Sequence, residues 1–207
     1  MPSGAGVGQQ HGDGKPRDRW ASVWAGIGLV LLGCVAYAPS FAGQFVFDDH
    51  LTIVSNSSLN AWSTGIAAAK SSSRWLGDLT FLANVQWFGR DPVGFHAVNL
   101  AIHLVTGLAL FALVRWTLLR GQFAWSAPPW NVAAEHRSRW CVALAFAIAA
   151  LWTVHPLTTQ GVTYIVQRYE QLAACWTVLA LWCYAWGSER RRPWLWNGLA
   201  AGCVLLA

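Results

Sequence analysis

Uncharged apolar runs alternate with polar stretches along the whole chain. The first run, Trp20 to Ala38, holds 19 residues without a charge. As a helix it is long enough to cross a hydrocarbon core of roughly 30 Å. A long polar stretch follows, Pro39 to Pro92, and then a second apolar run, Phe95 to Trp116. The segment Leu118 to Arg139 is polar again, with Pro128-Pro129 marking a turn. A third run extends from Trp140 to His155-Pro156, a fourth covers Leu172 to Trp186, and a fifth starts at Trp194 and is cut off after 14 residues at Ala207. This pattern predicts an all-α, polytopic helical membrane protein with four full spans and a truncated fifth. Residues Met1 to Arg19 are Gly-rich and polar, which predicts a disordered tail.

The first run also has the form of a signal peptide, since Ala36-Tyr37-Ala38 follows the basic residues Lys15, Arg17 and Arg19. Its apolar part is long for a signal, so an uncleaved anchor is expected. Within the first loop, Leu76 to Phe88 reads LGDLTFLANVQWF. Leu76, Leu79, Leu82 and Val85 recur near helical spacing, which predicts a short amphipathic helix lying in the membrane interface. Asn56-Ser57-Ser58 has the form of a glycosylation acceptor tripeptide, a weak signal by itself.

Composition agrees with membrane spans. The chain is 55% hydrophobic and 11% charged, against about 25% charged for soluble domains. Many of its 15 Trp sit at the ends of apolar runs, where a ring with one N–H suits the bilayer interface. The net charge of +5 does not point to nucleic acid, because the basic residues fall in clusters between apolar runs and not on one soluble face. The five Cys lie inside apolar runs without a CxxC or a nearby His, a poor pattern for zinc or a disulfide framework.

The charge clusters orient the spans. With the N-terminus in the cytoplasm, ten of the 14 basic residues fall inside, and Lys70, Arg74, Arg90 and Arg168 fall outside. Two distant polar segments then share the extracytoplasmic face: the loop holding Asp48-Asp49, and the stretch His155 to Gln171.

Those segments carry the candidate chemistry. The adjacent carboxylates Asp48 and Asp49 could activate a hydroxyl or hold a metal, or could simply be a solvated acidic loop. His96, Asn99 and His103 are spaced i, i+3, i+7 on one face of the second span. They would face a site, or hydrogen-bond between helices. Arg168 stands at an outer span boundary, and Glu170 at i+2 points to another face of a helix. Its partner is therefore an anionic phosphate, which suits a planar guanidinium, or another carboxylate such as Asp48 or Asp49.

Taken in order, Phe45-x-Phe47-Asp48-Asp49, Arg74, Leu79-Thr80, Gly94-Phe95-His96-x-x-Asn99-x-x-x-His103, His155-Pro156-x-x-Thr159-x-x-Val162 and Gln167-Arg168-x-Glu170-x-Leu172 resemble the GT-C-type integral-membrane glycosyltransferases. The nearest branch is the protein O-mannosyltransferase-like proteins that carry tetratricopeptide repeats after their membrane domain. The resemblance covers Phe45 to Leu172. It departs at Thr158 and Gln160, where relatives often have His and Glu, which weakens a metal-site reading there.

The resemblance implies transfer of a sugar from a polyprenyl-phosphate carrier to an acceptor, a protein or a glycan, on the extracytoplasmic side. It assigns Asp48 as the base and Asp49 to orienting the acceptor or bonding a neighbour. Arg168 meets the donor phosphate with Arg74 as helper, and His96, Asn99, His155, Gln167 and Glu170 support them. The resemblance names no particular cofactor, and a divalent metal held by the acid pair stays open. A bacterial inner membrane is the expected location. Relatives have more spans and repeats, so residues 20–207 are expected to be the N-terminal part of a longer membrane domain. The competing expectations are a part of a transporter, with polar groups at mid-span, and an inactive truncated scaffold.

Overall fold

Lipid offers the backbone no hydrogen bonds, so apolar runs that cross it must satisfy their own peptides, and helices do so within one segment. The computed structural model describes residues 16–120 and 134–207, and it is helical throughout, with no strand among the described residues. Helix α1 (Pro16–Tyr37) runs on into a 3-10 turn (Ala38–Ala42). Two short helices, α2 (Trp62–Lys70) and α3 (Trp75–Phe88), precede the long α4 (Pro92–Arg120). Helices α5 (Ala134–Thr153), α6 (Pro156–Thr163), α7 (Arg168–Gly187) and α8 (Pro193–Leu206) follow. The Pro128-Pro129 turn and the tail before residue 16 lie outside the described residues.

The fold has two packed zones. In the first, α1, α4 and α5 bury Leu29, Phe111, Val142, Ala145 and Ala149 against one another. Close approach is built in at Gly33, where a Cβ would come within 2.5 Å of the Leu104 side chain. In the second, the first loop folds over the ends of α4 and α7. It buries Ile53, Leu59, Phe81, Leu82 and Val85 with Phe95 and Ile165.

Several expectations change here. Among the described residues, two helices are long and apolar enough to cross a membrane, Arg19–Ala42 and Pro92–Arg120. A third arises if Arg137–Thr153 and Pro156–Thr163, which meet at a 59° bend, are one broken span. The pattern-based count was four and a truncated fifth. Helix α7 has the length, at 20 residues, but its polar first turn and its Trp, Thr and Tyr hold its hydropathy below that of a span, and α8 is a shorter apolar helix. Helix α3 forms as expected, yet Leu82 and Val85 of its stripe are buried in the protein's own core, with Leu79 packed against it. That stripe is core, not a membrane face. The large side chains α3 exposes are Trp75, Trp87 and Phe88.

The 50s segment is also ordered by specific bonds. Asn56 caps a helical turn (Ser57–Asn60), its Oδ1 accepting from the Ser58 amide at 3.1 Å and the Ser58 hydroxyl at 2.7 Å. The glycosylation-like tripeptide is thus a capping motif. Arg90 clamps the same turn, donating to the carbonyls of Ile53 (3.1 Å) and Asn56 (2.9 Å) and to Asn60 Oδ1 (2.9 Å).

Candidate functional site

Two breaks in the helical ladder create the site. Pro156 lacks an amide hydrogen and interrupts the helix after Thr153, and the chain breaks again between α6 and α7 at a 3-10 turn (Ile165–Gln167). Each break leaves buried carbonyls that need partners. The polar stripe on α4 supplies them. His103 Nε2 donates to the Thr153 carbonyl at 2.9 Å, and the Tyr37 hydroxyl donates to the same oxygen at 2.9 Å. Asn99 Nδ2 donates to Gly161 (3.3 Å) and Ile165 (3.2 Å), and His96 Nδ1 approaches the Val162 carbonyl at 3.4 Å. One helical face therefore satisfies both breaks. His103 also stacks on Trp152 with ring centroids 4.7 Å apart. This local role removes the mid-span polar group that a transporter reading relied on.

Arg168 starts α7 and is fully buried, without a carboxylate partner. Its Nε donates to Asn99 Oδ1 at 2.7 Å. Nη2 donates to Asn84 Oδ1 (2.9 Å) and the Phe95 carbonyl (3.1 Å), and Nη1 donates to the Thr80 carbonyl (3.3 Å). Its plane lies 4.5 Å from the Phe81 ring centroid and 5.5 Å from that of Phe95. Burial pulls its pKa down to about 9, so it stays charged at neutral pH. Among the described residues its neighbours are neutral oxygens and ring faces, not a carboxylate. The guanidinium shows no open face in this arrangement.

Arg74 is exposed. It precedes α3 and lies 5.0 Å over the Tyr169 ring, whose hydroxyl donates to Asp78 Oδ1 at 2.6 Å. Burial first, then that bond, raises the Tyr169 pKa. Tyr169 in turn meets Phe81 edge-on at 5.3 Å. Arg168, Phe81, Tyr169 and Arg74 thus form a series in which two rings separate two cations, so the two Arg do not converge on one ligand. Arg74 opens on a cavity of about 240 Å³ lined also by Trp75, Leu76, Glu170 and Leu172. Glu170 is exposed and forms no ion pair among the described residues.

The acid pair is divided. Asp49 is fully buried. Its Oδ2 accepts from the Val46 amide (3.0 Å) and its Oδ1 from the Val166 amide (2.8 Å). Burial raises its pKa, while these two amides and the charges of His96 and His50 work against the rise. Asp48 is exposed. The pair stands at the start of a helical turn, not on an extended segment, so the opposite exposure comes from the turn and not from strand alternation. Just before it, Phe47 has φ +47°, a left-handed backbone rare for an aromatic residue.

The remaining expected residues are placed as follows. His96 is buried, its Nε2 without a partner, over Gly43, where a Cβ would come within 2.9 Å of that nitrogen. His155 caps α6, its Nδ1 accepting from the Leu157 amide at 3.2 Å. Gln167 is half-buried at the start of α7. Asp49, His96, Asn99 and Arg168 are brought together around the second break, with Asp48 at its edge. Arg74 and Glu170 belong to the neighbouring cleft. Reading the sequence missed Asn84, Tyr164 and Arg90. Asn84 carried a signal, since it stands four residues after Thr80 and so on the same face of α3.

No family model and no solved structure matches the chain. It is similar to several curated proteins. Protein O-mannosyl-transferase TMTC1 of Mus musculus is 31% identical over 185 residues, 81% of this chain and 18% of the relative. Protein O-mannosyl-transferase TMTC4 of Homo sapiens is 30% identical over 176 residues, 78% of this chain and 23% of the relative. Protein O-mannosyl-transferase Tmtc3 of Drosophila melanogaster is 32% identical over 197 residues, 84% of this chain and 21% of the relative. The chain spans about a fifth of the length of these curated relatives.

Proposed function

This chain is a homologue of the protein O-mannosyl-transferases, and we propose that it forms the catalytic-loop part of a membrane glycosyltransferase. In this reading the enzyme takes a sugar, mannose by analogy with the relatives' names, from a polyprenyl-phosphate carrier and passes it to a protein hydroxyl on the extracytoplasmic side. The host membrane is a bacterial inner membrane, with the N-terminus in the cytoplasm.

Asp48 removes the proton from the acceptor hydroxyl. The acceptor oxygen then bonds to the anomeric carbon as the bond from that carbon to the carrier phosphate breaks, and the phosphate leaves with the electron pair. Arg74 is the exposed cation that meets the departing phosphate, and the apolar side chains of its cleft suit a lipid carrier. Arg168 holds α3, α4 and α7 in register beneath the loop. The carrying observation is the division of the acid pair: one carboxylate is spent on two backbone amides, while the other stands exposed on the same pinned turn.

A divalent metal fits this donor set poorly. Both Asp49 oxygens already accept amide hydrogens, and no three His, Cys, Asp or Glu gather among the described residues. The decisive experiment is Asp48→Asn in the complete protein. Sugar transfer should fall by at least ~10²-fold, in line with the loss of a general base, at an unchanged melting temperature. Wild-type transfer by this variant would remove Asp48 from the chemistry.

A further inference from the structure

The turn that carries Asp48 is strained, and few groups hold it. A left-handed backbone is disfavoured for a residue with a side chain and persists where its surroundings over-determine it. At Phe47 the determinants can be named. The Asp49 amide donates to the Val46 carbonyl at 3.0 Å, the His50 amide donates to the Phe47 carbonyl at 3.2 Å, and Asp49 ties the turn to Val46 and Val166. One more side chain completes the set. The Asp48 amide donates to the Tyr164 hydroxyl oxygen at 3.2 Å, and the Tyr164 ring meets the Phe47 ring edge-on at 6.4 Å.

Tyr164 therefore touches both the strained residue and the residue that bears the exposed carboxylate. It sits at the end of α6, directly before the break that Asn99 satisfies and that Asp49 joins through Val166. Its position is thus fixed by the same network that fixes the buried acid. Asp48 is bound to the network by its backbone, and its carboxylate is in no hydrogen bond among the described residues. A Phe in place of Tyr164 would keep the ring contact and delete the oxygen alone.

We infer that Tyr164 is a positioning residue, whose hydroxyl fixes the backbone of Asp48 and so the direction of its carboxylate. This rests on the reading of Asp48 as the base. The test compares Tyr164→Phe and Asp48→Asn with the wild type, as complete proteins in nanodiscs. Three quantities are measured: transfer kinetics, melting temperature, and hydrogen–deuterium exchange of the peptide spanning residues 45–50.

For Tyr164→Phe, kcat should fall about tenfold, the scale set by one net hydrogen bond. The KM for the lipid-linked donor and the melting temperature should stay unchanged, and exchange should quicken in the 45–50 peptide alone. Unaltered exchange there, or wild-type kcat beside a dead Asp48→Asn, would refute the positioning role and leave the proposed function standing. Faster exchange across the whole chain with a lower melting temperature would make Tyr164 a structural residue only. An active Asp48→Asn would instead bring down the proposed function, and this inference with it.

Discussion

Asp49 and Asp48 are neighbours with opposite energetics. Burial penalises the charged form of Asp49, and its two amide bonds favour that form. In Asp49→Asn one side-chain oxygen becomes an NH2 that faces an amide hydrogen, so an acceptor is lost and a donor is left unmatched. Such an error costs about 1–3 kcal/mol, and a lowered melting temperature should report it. Asp48→Asn has no such bond to lose and should melt like the wild type. The raised pKa of Asp49 also has a pH consequence. A carboxyl that holds its proton more tightly in the folded state than in the unfolded state favours folding below its unfolded pKa. That contribution is lost as pH rises through the raised folded pKa. Subtracting the melting profile of Asp49→Asn from that of the wild type should isolate a term that falls with rising pH across the acid range. A term that grows with pH would mean that the amide bonds outweigh burial.

At the scale of elements, Arg168 is the joint between α3, α4 and α7. Four neutral oxygens and two ring faces converge on it. Arg168→Ala would strand the side-chain oxygens of Asn84 and Asn99 and remove one donor from each of two helical carbonyls. A loss of about 3–5 kcal/mol is expected, on the scale of a buried charge network broken from one side. Arg168→Lys keeps the charge but cannot span four acceptors in one plane, so it too should destabilise. Arg74→Ala forfeits only an exposed contact with Tyr169, worth about 0.5–1 kcal/mol, and its effect should be weaker donor binding at nearly constant melting temperature. Affinity and melting data on the same purified variants check this. Weakened donor binding by Arg168→Lys with full stability would return the phosphate to Arg168. The sequence could present Arg168 as costly and unpaired by its neighbour, which is correct, but not as enclosed. Its acceptors come from residues 80 to 99, and side-chain burial of that kind is decided by how distant helices meet. The stripe of α3 was misread for a related reason. Leu82 and Val85 at helical spacing show that one face is apolar, and spacing alone does not say whether lipid or protein covers it. His96, Asn99 and His103 were legible as one face because helical periodicity is local, while their task depends on two breaks more than fifty residues away in sequence.

The whole molecule has two ends. At one end lie the Asp48 turn, α3, and the breaks around Pro156 and residues 164–167. At the other end Arg120, the last residue of α4, pairs with Glu189 just beyond α7, so the C-terminal ends of those two helices share a face. This agrees with the ordering in which basic clusters at 115–120, 137–139 and 190–192 lie together, away from the acid pair. Clusters of Lys and Arg near span ends favour the cytoplasmic side, and in the proposed orientation Asp48 faces outside. Asn60 and Arg191 are exposed at the two ends and outside the packed core; replacing Asn60 by Cys gives up one bond from Arg90 and keeps its two bonds to the carbonyls of Ile53 and Asn56. In a background lacking the five native Cys, a membrane-impermeant maleimide added to intact cells should label position 60. Position 191 should react only after the membrane is permeabilised. The reverse pattern would put the Asp48 turn in the cytoplasm, away from any extracytoplasmic acceptor. Labelling of both positions in intact cells would mean that α7, less apolar than the candidate spans, does not return the chain to the face where α4 ends.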